Sequence, residues 1–570
     1  MAATAKTTAL TVIAVLSVLI ILLAVFPPHL DYIEIVNPLD PDDVEAGDSF
    51  MLWSIVAPVI AIGLALVTKR VYTSLFVGIL AGVMIYGRFN VLVTFEALFT
   101  GFYDPYSGEY ITQGLASTLG DLDNVGILLF LIILGAFVYL MRRAGGTAAL
   151  GDWARKKLRK REHAQLMTVF LGFIVFIDDY FNCLTVGTVM EPVTDRFRVS
   201  RAKLAYLIDA TAAPVCIIAP ISSWAGAVSK YAGGQGAFDT FLSTIPYNFY
   251  AILTIVFIVT LILLRFDYGT MRKYETNAIE KGDLFSDGIG EPLVDYDISD
   301  HKGTILDLVV PILLLVVCCV SGMLFTGYLY GGDDIISLFS ECDACIGLPL
   351  GSFFAFLLTL AFYYHRKVIS FDDVWNSVPE GFKAMFPAIM ILILAWTLKG
   401  TIDLMGADLF IADLTRSWVS GLEYTLPMVV FAVAMFLSFS TGTSWGTFGI
   451  LIPICIALFP HDSTMTVICM SACMAGAVFG DHCSPISDTT IMAGTGSNCD
   501  LMTHVRTQFP YALTVAVVSA TCFLIAGFVK NPWIPMGIGA VMVIGALLLL
   551  KTVVARRYGV PAYGDETERR

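Results

Sequence analysis

Gly480-Asp481-His482-Cys483-Ser484-Pro485-Ile486-Ser487-Asp488-Thr489-Thr490 sets a run of ionisable and hydroxyl side chains inside apolar sequence. Without it, Thr466 to Phe479 on one side and Ile491 to Ala493 on the other read as parts of one membrane-spanning helix. A charge at that depth costs about 2.5 to 3.5 kcal/mol on insertion scales. Two carboxylates and an imidazole kept there point to an ion or proton site, and Pro485 to a break in the helix.

The remaining chain matches that reading. Of 570 residues, 57% are hydrophobic and only 14% charged, with a mean hydropathy of +0.77, which excludes an ordinary soluble domain. Apolar runs long enough to cross roughly 30 Å of hydrocarbon recur, among them Ala9 to Phe26, Phe50 to Val67, Val71 to Tyr86 and Val125 to Met141. The net charge of −14 is carried by connecting loops. It reports topology rather than a cationic partner, and no nucleic-acid partner is expected.

Loop charges set the expected topology. Lys6 precedes the first run, which lacks a cleavage site and is read as an uncleaved span. Pro27 to Ser49 then holds seven acids and no Lys or Arg, so the N-terminus is expected in the cytoplasm. A basic arm from Arg142 to Arg161 and a second basic loop with Arg196, Arg198, Arg201 and Lys203 enclose Ala164 to Met190. Both ends of that segment therefore face the cytoplasm, as in a re-entrant hairpin with Ile177-Asp178-Asp179-Tyr180-Phe181-Asn182 at its tip. Lys203 to Ser229 follows, interrupted by Ala219-Pro220-Ile221-Ser222-Ser223-Trp224-Ala225-Gly226, and is expected to be a broken helix.

After the hydrophilic stretch from Arg265 to Lys302 the plan returns with reversed orientation. Met428 to Phe459 is a second hairpin with Ser440-Thr441-Gly442-Thr443-Ser444-Trp445-Gly446 at its centre, and the opening motif breaks the helix that follows. Asp178 to Ser222 spans 44 positions and Thr441 to Ser484 spans 43, so the interruptions fall in register. The expected organisation is a first span and acidic outer loop (1–49), a first half (50–264; hairpin 164–190, broken helix 203–229) and a cytoplasmic connection (265–303). A second half (304–530; hairpin 427–459, broken helix 464–495) and a last span with a cytoplasmic tail (531–570) complete it. The fold class is an all-α polytopic membrane protein of about twelve crossings plus two re-entrant hairpins in an inverted repeat, which places a binding site near the midplane.

Sodium is a hard cation that prefers oxygen ligands. Asp178, Asp179, Asn182, Asp209, Asp481, His482, Ser484, Asp488 and Thr489 are the candidate ion and proton ligands, with Asp179, Asp481 and Asp488 expected on Na+ itself. A carboxylate desolvated at the midplane exchanges a proton near neutrality; Asp481 and Asp179 are favoured, with His482 behind them. If an organic substrate is carried, Ser222, Ser223, Thr441, Thr443 and Ser444 would bind its carboxylate with help from half-helix N-termini. Plainer roles stand beside these. Asp178 and Asp179 are also good helix caps. The hydroxyls can satisfy backbone groups freed at the breaks, His482 can order its loop, and Trp224 with Trp445 can pack as a gate. Asp195 among Arg196 and Arg198 reads as a surface ion pair. Lys399 with Asp403 reads as a snorkelling lysine and its i, i+4 neighbour.

The eleven-residue motif, with Phe176-Ile177-Asp178-Asp179-Tyr180 and Ser222-Ser223-Trp224, resembles the NhaC family of sodium/proton antiporters within the wider ion transporter superfamily. The resemblance covers roughly Val125 to Ile525. It implies an elevator-type carrier whose hairpins and broken helices move against a scaffold, often as a homodimer. The function expected is secondary active exchange of Na+ for H+ across the cytoplasmic membrane by a multi-pass protein with both termini inside. The alternative is Na+- or H+-coupled transport of a small organic anion or amino acid. An intramembrane aspartyl protease using Asp179 and Asp481 is the remote rival, although paired hairpins and broken helices have no use in proteolysis. No enzyme activity and no cofactor beyond Na+ as transported or coupling ion are expected, and no phosphate-binding loop is present. Most of the 12 cysteines lie in apolar segments; Cys342 and Cys345 are spaced for a disulfide if their side is oxidising.

Overall fold

The computed structural model describes residues 31–37, 40–49, 51–68, 70–101, 114–146, 149, 158, 160–176, 179–220, 222, 224, 228, 237–285, 303–333, 335–407, 410, 423–459 and 463–558. The expected first span, Asp178 and Ser223 lie outside these residues. Asp31–Asn37 (β1) and Asp40–Ser49 (β2) pair antiparallel, from Asp31 opposite Ser49 to Val36 opposite Val44. This hairpin lies within the segment expected to be an acidic outer loop, and the described chain is otherwise helical as expected. Tyr32, Ile33, Ile35 and Val36 are strand formers, and that propensity outweighs the acidic composition that suggested a loop.

All other regular structure among the described residues is helical. The first helices are α1 (Val56–Thr68), α2 (Val71–Tyr86), α3 (Val91–Phe99), α4 (Leu115–Gly120), α5 (Leu122–Arg143), α6 (Arg161–Ile174), α7 (Asp179–Arg196) and α8 (Arg201–Ile218). Next are α9 (Ala237–Thr244), α10 (Phe249–Leu264), α11 (Gly269–Lys281), α12 (Leu306–Leu329), α13 (Ile335–Ser340), α14 (Ala344–Arg366) and α15 (Phe371–Leu404). The last are α16 (Leu426–Thr441), α17 (Ser444–Leu458), α18 (Ser463–Cys483), α19 (Asp488–Gly496), α20 (Leu501–Val529) and α21 (Trp533–Tyr558). Among the described residues six helices are long and apolar enough to cross a membrane, or eight if each of two bent pairs counts as one span. Only 22% of the apolar window of α21 is buried. Its Trp533, Ile534, Val541 and Leu549 are exposed, a face suited to lipid rather than water.

Two compact units form, each from two stretches of chain: Met1–Asp121 with Met390–Asp488, and Leu122–Ile389 with Thr489–Arg570. The polar interruptions end helices in both. In the second unit α6 stops at Ile174 and α7 begins at Asp179, and α8 stops at Ile218 just before Pro220. In the first, Gly442 turns between α16 and α17 with φ +71°, a left-handed conformation that glycine adopts without steric cost. Ser484 to Ser487 separates α18 from α19.

Two hydrophilic segments are more ordered than expected. The connection after Arg265 starts with α11, whose Glu275 is fully buried; it pairs with Arg161 and accepts from the Ser200 N–H at 2.8 Å. The basic loop at 196–203 is only partly a loop, since Arg201 and Lys203 are buried in the first turn of α8 and ion-paired. These cations neutralise internal acids, so they weigh less as topology signals than a free basic loop does.

Candidate functional site

In the second unit, three polar positions of α7 step along one face: Asp179, Asn182 and Thr185, at i, i+3 and i+6. All three are buried. Asp179 opens the helix, where the positive end of the helix dipole favours a carboxylate. The Asn182 amide nitrogen donates to the carbonyls of Gly172 and Val175, each at 2.8 Å, closing the hairpin on the carbonyls that the end of α6 leaves free. Its Oδ1 and the Thr185 Oγ1 have no hydrogen-bond partner among the described residues. Both oxygens are therefore open as ligands. Gly172 also lies against Thr211 of α8; a Cβ there would stand 2.5 Å from the Thr211 hydroxyl.

Two positions before Thr211, Asp209 is fully buried. Its Oδ2 accepts from Thr490 Oγ1 at 3.1 Å and from Gln508 Nε2 at 2.6 Å, and lies 3.1 Å from His504 Nε2. Gln508 and His504 are themselves fully buried in α20, one helical turn apart. A buried carboxylate needs such donors to remain folded. The α19 segment that supplies Thr490 packs on α7: the Cys183 thiol reaches the Thr489 carbonyl at 3.7 Å, and Gly187 meets Gly496 backbone to backbone.

In the first unit the second hairpin closes on the second break. Ser484 Oγ donates to the Phe439 carbonyl at 2.7 Å, and Ser438 Oγ donates to the Ala477 carbonyl at 2.7 Å. A Cβ on Gly442 would stand 2.5 Å from the Ile486 carbonyl oxygen, and one on Gly480 2.5 Å from the Met435 carbonyl oxygen. Asp481, His482, Asp488 and Thr489 are all buried at this break.

The hydroxyl candidates divide by what they bond. Ser222 donates to the Cys216 carbonyl at 2.8 Å, and Thr441 to the Leu437 carbonyl at 2.9 Å; both close the end of their own helix. Thr443 is the N-cap of α17 without a side-chain capping bond. Ser444, 1% exposed, has no hydrogen-bond partner among the described residues.

Sequence reasoning missed Thr185, Thr490, His504 and Gln508. Thr490 stood inside the motif without a role, and His504 marked only the end of a span. An i, i+4 imidazole and amide in an apolar helix carry the same signal as the opening motif.

At the other end of α7 the Arg201 guanidinium bridges two acids, Glu191 and Asp195, each at 2.7 Å, while Arg142 holds the second oxygen of Glu191 at 2.7 Å. Burial pushes the Asp195 carboxyl up to about 7, outweighing the opposing pull of Arg201. Asp195 pairs with Arg201 of α8 inside a largely buried network, where the sequence suggests a surface ion pair among Arg196 and Arg198. All twelve cysteines are free thiols, Cys342 and Cys345 included. Near them, donor atoms of Asp123, Asp343 and Cys345 lie within 4.8 Å of one another. The Asp343 carboxylate already caps α14 through the Ile346 N–H at 3.1 Å.

Apolar spans and helices broken at buried polar residues are the features of a multi-pass membrane secondary transporter. A profile of the family described as the Na+/H+ antiporter family matches residues 224–528, and the chain belongs to that family. An uncharacterized protein of Haemophilus influenzae is 34% identical over 499 residues, which is 84% of this chain and 92% of that one. The malate-2H+/Na+-lactate antiporter of Bacillus subtilis is 28% identical over 34% of this chain and 40% of its own. The Na+/H+ antiporter NhaC of Alkalihalophilus pseudofirmus is 26% identical over 30% of this chain and 37% of its own. Among solved structures, the YdaH transporter of Alcanivorax borkumensis aligns with 80% of this chain and 98% of its own at 11% identity and a TM-score of 0.31, too slight a likeness to carry an argument.

Proposed function

We propose that the chain exchanges Na+ for H+ across the cytoplasmic membrane, through an inverted repeat of about twelve crossings and two re-entrant hairpins. The observation that carries the reading is the buried Asp209 with His504, Gln508 and Thr490 around one oxygen. The His504 Nε2 lies 3.1 Å from the Asp209 carboxylate, within hydrogen-bond reach. The open oxygens of Asn182 and Thr185, with Asp179 on the same face of α7, supply hard ligands for Na+. Both groups border α8: Thr211 packs on the α6 end that Asn182 closes, and Asp209 stands two residues earlier on another face of that helix. A cation entering beside α7 favours the ionised form of Asp209, and the proton leaves. Competition of the two ions for one charge makes the exchange obligatory.

Everted membrane vesicles acidified inside test this directly. Added Na+ is expected to release protons from vesicles holding the wild-type chain, and Asp209→Asn to abolish the release. Wild-type vesicles that keep their protons, or full exchange by the Asn variant, overturn the reading. Asp481→Asn examines the buried acids of the other unit: lost exchange includes Asp481 in the ion path, and unchanged exchange removes it.

A further inference from the structure

Arg201 does more than balance charge. Its buried guanidinium bonds Glu191 and Asp195 at the end of α7, and it also donates to the Ser497 carbonyl at 3.2 Å. Neutralising the two acids leaves that third bond unexplained. Ser497 follows the last residue of α19, where carbonyls lack helical partners and a cation is favoured. The chain passes from there into α20 through a closed cap. The Cys499 N–H donates to the Gly494 carbonyl at 2.8 Å, Asn498 turns left-handed at φ +53°, and Asp500 caps α20 through the Thr503 N–H at 2.9 Å. A turn so short and so fully bonded ties α19 and α20 to one position. It is also pressed on α7, since a Cβ on Gly187 would stand 2.5 Å from the Gly496 carbonyl carbon.

This turn carries the partners of Asp209. Thr490 lies seven residues before Ser497 and His504 seven after it, with Gln508 one helical turn further on. All three reach the Asp209 Oδ2. Arg201 and Asp209 share α8, about 12 Å apart along its axis. One helix therefore presents the carboxylate at one point and, two turns away, grips the turn that delivers its partners. We infer that Arg201 is a positioning residue: by holding the α19–α20 turn on α8 it sets Thr490, His504 and Gln508 on Asp209, and with them how readily that carboxylate gives up its proton. The inference rests on the reading of Asp209 as the proton-carrying group. The planar fork suits the task, because it reaches two acids of α7 and a carbonyl of a third segment at once, which the single ammonium of a lysine does not. A carboxylate that loses a donor holds its proton more tightly, so slack in the turn moves exchange to higher pH.

Na+-driven proton release from everted vesicles, followed over a pH series, tests this. Arg201→Gln is expected to move the half-maximal pH of release upward by about one unit, as the loss of one hydrogen bond to a charged group would. Arg142→Gln breaks the same network at the Glu191 oxygen that Arg201 does not hold, and leaves the bond to Ser497 in place. It should lower the unfolding temperature without moving the half-maximal pH, which separates positioning from a general loss of packing. Gly187→Ala displaces the turn from the α7 side without changing any charge and should also raise the half-maximal pH, which keeps the test decisive if Arg201→Gln does not fold. An unmoved profile in Arg201→Gln or in Gly187→Ala, or an equal shift in Arg142→Gln, overturns the inference. Wild-type vesicles that release no protons overturn the exchange reading and this inference with it, whereas a wild type that exchanges beside unshifted variants overturns this inference alone.

Discussion

The two hairpins solve one backbone problem with opposite chemistry. Between α6 and α7 a side chain closes the break: the Asn182 amide holds two carbonyls, and the polar row continues with Asp179 and Thr185. Between α16 and α17 the backbone closes it: Gly442 turns left-handed against Ile486, leaving hydroxyls and a nearby lysine. The first tip carries its acid, Asp179, on the hairpin itself, whereas the second carries hydroxyls and packs on the break that holds the buried Asp481 and Asp488. A shared plan thus sets where a site forms, while the residues at the break set where its acids stand.

The largest effect is expected where the second pair is closest. Gly480 on α18 faces the Met435 carbonyl oxygen and the Phe439 nitrogen, which a Cβ would approach to 2.5 and 2.6 Å. Backbone on both sides cannot rotate away, so Gly480→Ala should lower stability by about 1 to 3 kcal/mol. Gly537→Ala, at a position with nothing within 4 Å, should change the unfolding temperature very little. Equal losses in the two variants would break the claim that backbone contact closes the second pair.

A smaller loss is expected from Asn182→Ala in the first pair, at about 0.6 kcal/mol for each of its two bonds. Asn182→Asp separates closure from ligation. It removes the donor but keeps oxygens, so stability should fall while Na+ affinity is retained or raised. Lower Na+ affinity in the Asp variant would make Asn182 a clasp only and take it out of the cation site.

The breaks were legible because Pro220, Gly442 and Pro485 each stand among polar residues inside apolar runs, and a lipid-embedded backbone tolerates that only at an irregular, protein-lined position. Asp209 was legible by the same cost argument. Its partners were not, because contact between α8 and α20 joins residues almost 300 positions apart, and no local period encodes it. Arg201 and Lys203 misled for a related reason. Loop charge counts as topology only when it faces water, and their burial with Glu191 and Asp267 appears only in three dimensions. The β1–β2 hairpin was hidden by its acids, whose count spoke louder than the alternating strand formers beside them.

The smallest expected effect concerns the far end of α7. Folding raises the Asp195 carboxyl from 3.8 to about 7, because burial penalises its charge more than Arg201 repays. The folded state therefore binds this proton more tightly than the unfolded chain does. Stability from this group is full in acid and declines as pH rises between those two values. Asp195→Asn cannot ionise, so its unfolding temperature should fall less than the wild type's between about pH 4 and about pH 7. The difference should be modest, since the Asp195 side chain is 30% exposed and solvent screens its charge. Parallel profiles would mean that Asp195 does not titrate in this window. If the flatter profile leaves the pH dependence of exchange unchanged, Asp195 merely anchors α7. If the exchange profile moves with it, protonation at the anchored end is transmitted along the helix to the tip that carries Asp179 and Asn182, which would give the first hairpin a control that the glycine-closed second one lacks.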